Sequence, residues 1–135
     1  MNIENRKILV LGGYGLVGMA VCRELLARRP REIQIHSLRI EESRKAAEEL
    51  QAEAGSTVLS TSAGNIFGLL QGGSKRDLIR AELRRLDDED LETFVLYDVL
   101  AKSRPDIVVD CVNTATGIAY GDIFRSAEEV LRRLE

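Results

Sequence analysis

A chain of 135 residues, 44% hydrophobic and 30% charged, has room for one modest domain with a real core and not for two. Its net charge of -3 gives no basic excess for a nucleic-acid surface, and an aromatic content of 4% without Trp argues against base-stacking platforms. No apolar run approaches a membrane span and Met1 to Arg6 is too polar for a signal peptide, so the cytoplasm is the expected location.

Ile8 to Leu11 is a continuous apolar run stopped by Gly12, the pattern of a strand buried on both faces. Glycines then recur at Gly12, Gly15 and Gly18, and an amphipathic helical segment follows at once. Its stripe is read as Val17, Val21 and Leu25, with Leu16 and Ala20 alongside, closed by Arg28, Arg29 and Pro30. Strand, tight glycine turn and helix together suit a nucleotide diphosphate. A backbone without Cβ atoms approaches it closely, and the first helical turn offers free N–H groups at a positive dipole end.

Ile33 to Leu38 is the second strand, and Glu41 to Ala54 the second helix, ended by Gly55. Thr57 to Thr61 is a third, short strand that runs into a small-residue turn, Ser62 to Phe67. Leu69 to Gly73 reads as a turn or a short helix. Ser74 to Asp77 resembles a capping box, followed by a helical stripe at Leu78, Ile79, Leu83 and Leu86. The acidic cluster Asp87 to Asp90 breaks that helix and caps the next, whose stripe is Leu91, Phe94, Val95 and Val99 and which ends before Pro105. The mixed charges from Lys75 to Glu92 read as a solvated face. Asp106 to Val112 is the fourth strand, and Asp110 within it either faces solvent at a sheet edge or is hydrogen-bonded. Asn113 to Gly117 is a polar exit, and a last helix from about Ile118 or Asp122 carries Ile123, Ala127, Val130, Leu131 and Leu134. Cys22 and Cys111, in a helical and a strand pattern, read as reduced core residues, and no metal-ligand spacing exists.

This alternation predicts an α/β fold with a parallel sheet, helices on both faces, and all strand ends along one edge where ligands bind. At the end of strand two, a carboxylate would suit the ribose of NAD, whereas a cation and small hydroxyls suit a 2′-phosphate. The chain offers Ser37 and Arg39, with Arg44 beyond and no acid before Glu41, which favours NADP with NAD as the alternative. An ordinary surface arginine is the competing reading of Arg39, and a turn asparagine that of Asn65. His36, the single histidine, reads as a packing residue.

Gly12-Gly-Tyr-Gly-Leu-Val-Gly18 resembles the glycine turn of the short-chain dehydrogenase/reductase superfamily, especially its extended, epimerase-like branch. His36 to Arg39, Gly64 to Ile66 and Asn113 to Ala115 extend the resemblance over most of the chain, which then represents only the cofactor-binding half of such an enzyme. The resemblance implies a three-layer Rossmann-like fold with about four strands in the order 3-2-1-4. It implies that Gly12, Gly13, Tyr14, Gly15, Leu16 and Val17 line the pyrophosphate of NAD or NADP. Ser37 and Arg39 then serve the adenosine ribose or its phosphate, Asn65 and Ile66 the adenine, and Asn113, Thr114 and Ala115 the path to the nicotinamide.

The family's catalytic pair, Tyr-x-x-x-Lys, is missing. Four residues after Tyr14, Tyr97 and Tyr120 stand Gly18, Ala101 and Phe124. The expected role is therefore cofactor binding without a complete catalytic site, in one domain spanning residues 1 to 135 of a truncated or partial oxidoreductase. Strand four is expected to leave an open edge, inviting a homo-oligomer or a missing C-terminal half. Two other classes fit the pattern: a non-catalytic regulatory module that senses a nucleotide, as in ion channels, and an interaction domain whose glycine turn is empty.

Overall fold

The computed structural model describes residues 2–70, 88–112, 130 and 132–133. Four strands alternate with helices: β1 (Lys7–Leu11), α1 (Leu16–Leu26), β2 (Glu32–Ser37), α2 (Ile40–Leu50), β3 (Val58–Ala63), α3 (Asp88–Leu91), α4 (Val95–Ser103) and β4 (Ile107–Asp110). The sheet is wholly parallel in the order β3-β2-β1-β4, as the sequence predicts. The central pairing sets Val10 opposite Ile35, so the apolar runs of β1 and β2 lie side by side.

Two apolar layers sandwich this sheet. On one face Ile8, Val10, Ile33 and Ile35 pack with Met19, Cys22 and Leu26 of α1 and Ala46 and Leu50 of α2. On the other, Leu9, Leu11 and Val99 pack with Val95, Leu96, Leu100, Ile66 and Val112. Alternate residues of β1 thus feed opposite cores, which is why its sequence is apolar without interruption.

The side of α1 that meets the sheet differs from the expected stripe. Gly18, Met19, Cys22 and Leu26 are buried, whereas Leu16 and Val17 are 92% and 62% exposed and Ala20 is also on the outside. Gly18 decides this. A Cβ there would land on the Gly12 carbonyl oxygen and 2.7 Å from the Gly13 Cα, so the helix can lie this close only where that side chain is missing.

Strand limits shift as well. β2 begins one residue early and ends at Ser37, leaving Leu38 outside and exposed. β3 continues through Ser62 and Ala63, which pair with His36 and Ser37, so these two belong to the ladder and not to a turn. β4 is shorter than expected. The Asp110 carboxylate accepts the Val112 N–H at 2.9 Å and so competes with continued strand pairing. Asp110 is exposed and also hydrogen-bonded, which resolves the choice left by its sequence.

α2 passes at Gln51 into a three-residue 3₁₀ turn. The acidic cluster forms the short α3, and Phe94, expected on the α4 stripe, is instead the N-cap of α4, bridged to Leu69. The helix expected at Leu78 to Leu86, the exit Asn113 to Gly117 and most of the last helix lie outside the described residues.

Candidate functional site

The glycine turn is tied down from below. The N–H groups of Gly12 and Gly13 both donate to the His36 carbonyl, at 2.9 and 3.1 Å, and Gly15 N–H donates to the Gly12 carbonyl at 3.0 Å. Gly12 has φ +72°, a left-handed conformation that its missing Cβ permits, and a Cβ there would also press 3.2 Å from the Cys111 backbone. At Gly13 an added Cβ would meet Ile35 Cγ2 at 2.7 Å. The turn therefore needs its glycines for packing on β2 and β4, before any ligand is considered.

α1 starts with Gly15 as an N-cap that carries no capping side chain. No backbone carbonyl of the described residues takes the amides of Leu16, Val17 and Gly18. Free amides and the positive end of the helix dipole remain there, the setting in which an anion is held.

Beside the turn opens a cavity of about 260 Å³. Gly12, Ser37, Asn65 and Ile66 line it, so the fold brings together four residues expected in the site from three separate strand ends. His36, Leu38, Gly64, Phe67 and Val112 complete the wall. Leu38 and Phe67 are 65% and 52% exposed and give the mouth an apolar lip. Gly13, Tyr14, Gly15, Leu16, Val17 and Arg39 do not line this cavity, and Asn113, Thr114 and Ala115 lie outside the described residues. A larger hollow of about 490 Å³ runs along the exposed side of α1 past Leu16, Val17, Val21 and Leu25. Its surface is almost wholly apolar, and it lacks the convergent polar groups of a small-molecule site.

Ser37 is the telling residue of the smaller cavity. It is 5% exposed, and its hydroxyl has no hydrogen-bond partner among the described residues. A buried hydroxyl left without a partner costs about 1–3 kcal/mol, so a ligand that pairs with it gains correspondingly.

His36 does more than fill space. It is 2% exposed; Nδ1 stands 2.9 Å from Ser62 Oγ and Nε2 3.0 Å from the Gly64 carbonyl. A carbonyl only accepts, so Nε2 carries the proton and Nδ1 accepts from Ser62, which in turn accepts from Gln34 Nε2 at 2.9 Å. Burial pushes the imidazole pKa down, with the Gly64 bond working against it. The ring thus pins the start of the 64–67 loop to β2 in its neutral form. In that loop Asn65 Oδ1 accepts the Phe67 N–H at 3.1 Å, the turn role weighed for it, and its amide nitrogen is left for other partners.

Among the described residues no cation lines the cavity itself. Arg39 is the N-cap of α2 and its guanidinium is engaged by Glu42 through Nε at 2.9 Å and Nη2 at 2.6 Å, both on Oε1. Arg44 stands apart from the turn, beside Thr61. Lys45, one residue on, reaches the turn instead: its Nζ is 3.5 Å from the Tyr14 hydroxyl and 5.8 Å from the ring centroid. Helical spacing from Arg39 and Glu42 was the available signal for Lys45, because positions three and four apart share a face. Among the described residues no group of acidic, His and Cys side chains is arranged to hold a metal ion, and no helix is long and apolar enough to cross a membrane.

The residues fit a dinucleotide in three respects: an uncapped helix start behind a turn where Cβ atoms are excluded, an unpaired buried hydroxyl at the next strand end, and an apolar-lipped cavity between them. No protein-family model matches the sequence, and no curated protein matches it. Solved structures do. A short-chain dehydrogenase/reductase from Mycobacterium ulcerans superposes with a TM-score of 0.50 at 20% identity, covering 82% of this chain and 34% of that one. A 3-oxoacyl (acyl-carrier-protein) reductase from Agrobacterium tumefaciens with NADP bound gives 0.46 at 20% identity, over 76% and 47%. L-sorbose reductase from Gluconobacter frateurii, complexed with NADPH and L-sorbose, gives 0.45 at 13% identity, over 76% and 48%. The chain spans between 34% and 48% of the length of these three proteins. The described chain thus has the Rossmann-like parallel α/β fold found in part of the short-chain dehydrogenase/reductases.

Proposed function

We propose that this chain binds a nicotinamide adenine dinucleotide, NADP in preference to NAD, as the cofactor-binding part of a short-chain dehydrogenase/reductase-like oxidoreductase. One observation carries the reading: Ser37, whose buried hydroxyl has no partner among the described residues, lines a cavity that begins at the glycine turn. In this reading the amides of Leu16 and Val17, behind Gly12, Gly13, Tyr14 and Gly15, hold the diphosphate. Ser37 pairs with the adenosine ribose or its phosphate, Lys45 supplies positive charge beside Tyr14, and Arg39 is a second cation whose charge Glu42 partly engages. Asn65 and Ile66 face the adenine between the apolar side chains of Leu38 and Phe67. Asn113, Thr114 and Ala115 lead toward the nicotinamide. The cofactor, once bound, supplies hydride chemistry; this chain's residues bind and orient it.

Binding without turnover follows from the missing Tyr-x-x-x-Lys pair, since no tyrosine has a lysine four residues on to lower its pKa. Among the described residues no strand pairs with the outer edge of β4, which suits pairing with a second copy or with further chain. A nucleotide-sensing module without chemistry is the second reading, favoured by the same lack of a catalytic pair. Titration calorimetry with NADPH, NADH and ADP tests both. NADPH binding more tightly than NADH and ADP is the expected order. Equal affinity for ADP and the dinucleotides favours the sensing module, and no heat with any of them refutes nucleotide binding altogether.

A further inference from the structure

On the dinucleotide reading above, Arg39 and Glu42 lie just beyond Ser37, on the side where the two forms of the cofactor would differ. Arg39 follows Ser37 by two residues and caps α2 in an extended conformation, φ -120° and ψ 144°. Its side chain is 72% exposed, yet folds back along the helix onto Glu42, whose own side chain is only 22% exposed. Glu42 receives three N–H groups of one residue: Nε at 2.9 Å and Nη2 at 2.6 Å on Oε1, and the backbone N–H at 3.3 Å on Oε2. The carboxylate is the more buried partner and the guanidinium the more exposed one. Glu41 adds a second acidic group in the same first turn.

A 2′-phosphate seeking Arg39 would find its charge already met and a carboxylate beside it. A 2′-hydroxyl carries no charge and loses nothing to that pair. The same pair has a second duty, because the Glu42 side chain also accepts the Arg39 backbone N–H, the half of a capping box that its position supplies. Glutamine fills that box as well as glutamate does, so charge and cap can be separated by one substitution.

We propose that Glu42 limits the NADP preference of this site by holding Arg39 back from the 2′-phosphate. This rests on the dinucleotide reading above and names the residue that regulates its specificity. Lys45, whose described contact is with Tyr14 and not with a carboxylate, keeps its charge available in either state.

The test is calorimetry of NADPH and NADH binding to the full chain, Glu42→Gln, Arg39→Ala and the double variant. Glu42→Gln should tighten NADPH about three- to tenfold, the scale of one exposed ion pair plus one like-charge repulsion, and leave NADH within about twofold. In the Arg39→Ala background the same substitution should change the NADPH to NADH ratio by a clearly smaller factor, because only the like-charge repulsion by Glu42 then remains. Thermal unfolding of Glu42→Gln should match the parent chain, since the capping box survives. A ratio that stays fixed in Glu42→Gln while both nucleotides still bind overturns the inference and leaves the dinucleotide reading standing. Weaker NADH binding by Glu42→Gln also overturns it, because Glu42 would then be accepting the ribose hydroxyls itself. If neither nucleotide binds the parent chain, the dinucleotide reading fails and takes this inference with it.

Discussion

Gly18→Ala sets a local gain against a packing loss and shows which governs the glycine turn. Alanine in place of glycine inside α1 should stabilise the helix by about 1 kcal/mol through propensity alone. Against this, the new Cβ would overlap the Gly12 carbonyl oxygen and lie 2.7 Å from the Gly13 Cα and 2.9 Å from the Gly12 carbonyl carbon. All three are backbone atoms of a turn held to His36 by two hydrogen bonds, so none can swing aside as a side-chain tip would. The helix must lift instead, which opens the packing of Met19, Cys22 and Leu26 against the sheet. Overpacking of this kind costs about 1–3 kcal/mol, and the backbone contacts place it at the upper end. A net loss of about 2 kcal/mol lowers Tm by about 6–10 °C for a chain of this size. Circular dichroism melts of the two proteins measure it. A Tm equal to or above that of the parent chain would show that propensity wins, and would refute the argument that Gly18 brings α1 against the turn.

Gly15→Asp should separate stability from binding. A carboxylate at this N-cap pairs with the free amides of α1 and favours its dipole, but its Cβ meets the Gly12 carbonyl oxygen at 3.3 Å, so the gain of about a few tenths of a kcal/mol is offset and Tm stays within a few degrees, while the carboxylate repels a diphosphate and NADPH affinity falls at least tenfold. His36, neutral and buried, has its pKa below the ordinary 6.5 in the folded state. Its contribution is therefore fully present above pH 6.5 and is lost as pH falls below that toward the folded value, with a slope of up to about 1.4 kcal/mol per pH unit. Urea melts across this range should show the slope in the parent chain and lack it in His36→Gln. The Cys22 thiol, buried and pushed up to about 12 by desolvation, with Cys111 beside it adding to the shift, should resist a thiol reagent at pH 8 until the protein unfolds. Labelling of two thiols at equal, rapid rates in the native state would contradict its burial.

Much of the fold is legible because it rests on periodicity. The apolar runs of β1 and β2 admit only a doubly covered strand, and the alternation with helices leaves little choice of topology once crossovers are right-handed. The α1 stripe misleads for a physical reason. Its most apolar side, Leu16, Val17, Ala20 and Val21, is not the side the turn allows to approach the sheet. Gly18 with Cys22 and Leu26, at four-residue spacing, was the available signal, because close approach selects a missing Cβ over greasiness. Strand ends drift where a side chain competes for the backbone, as Asp110 does at the end of β4.

The site divides along the same line. Gly12, Ser37, Asn65 and Ile66 meet because strand ends converge, which topology predicts. The roles of His36, Glu42 and Lys45 depend on which rotamer meets which neighbour, and nothing in the linear pattern states that. Arg39 shows the difference most clearly, since its sequence position suggests an available cation and its hydrogen bonds show one already engaged.

The most direct test of dinucleotide binding is a ¹H–¹⁵N correlation spectrum of the labelled chain titrated with NADPH. Shifts should concentrate on the amides of Gly13 to Gly18, on Ser37 to Arg39 and on Asn65 to Phe67, the three strand ends around one cavity. Shifts confined to the exposed side of α1, at Ala20, Val21 and Arg28, or no shifts at millimolar nucleotide, would contradict it.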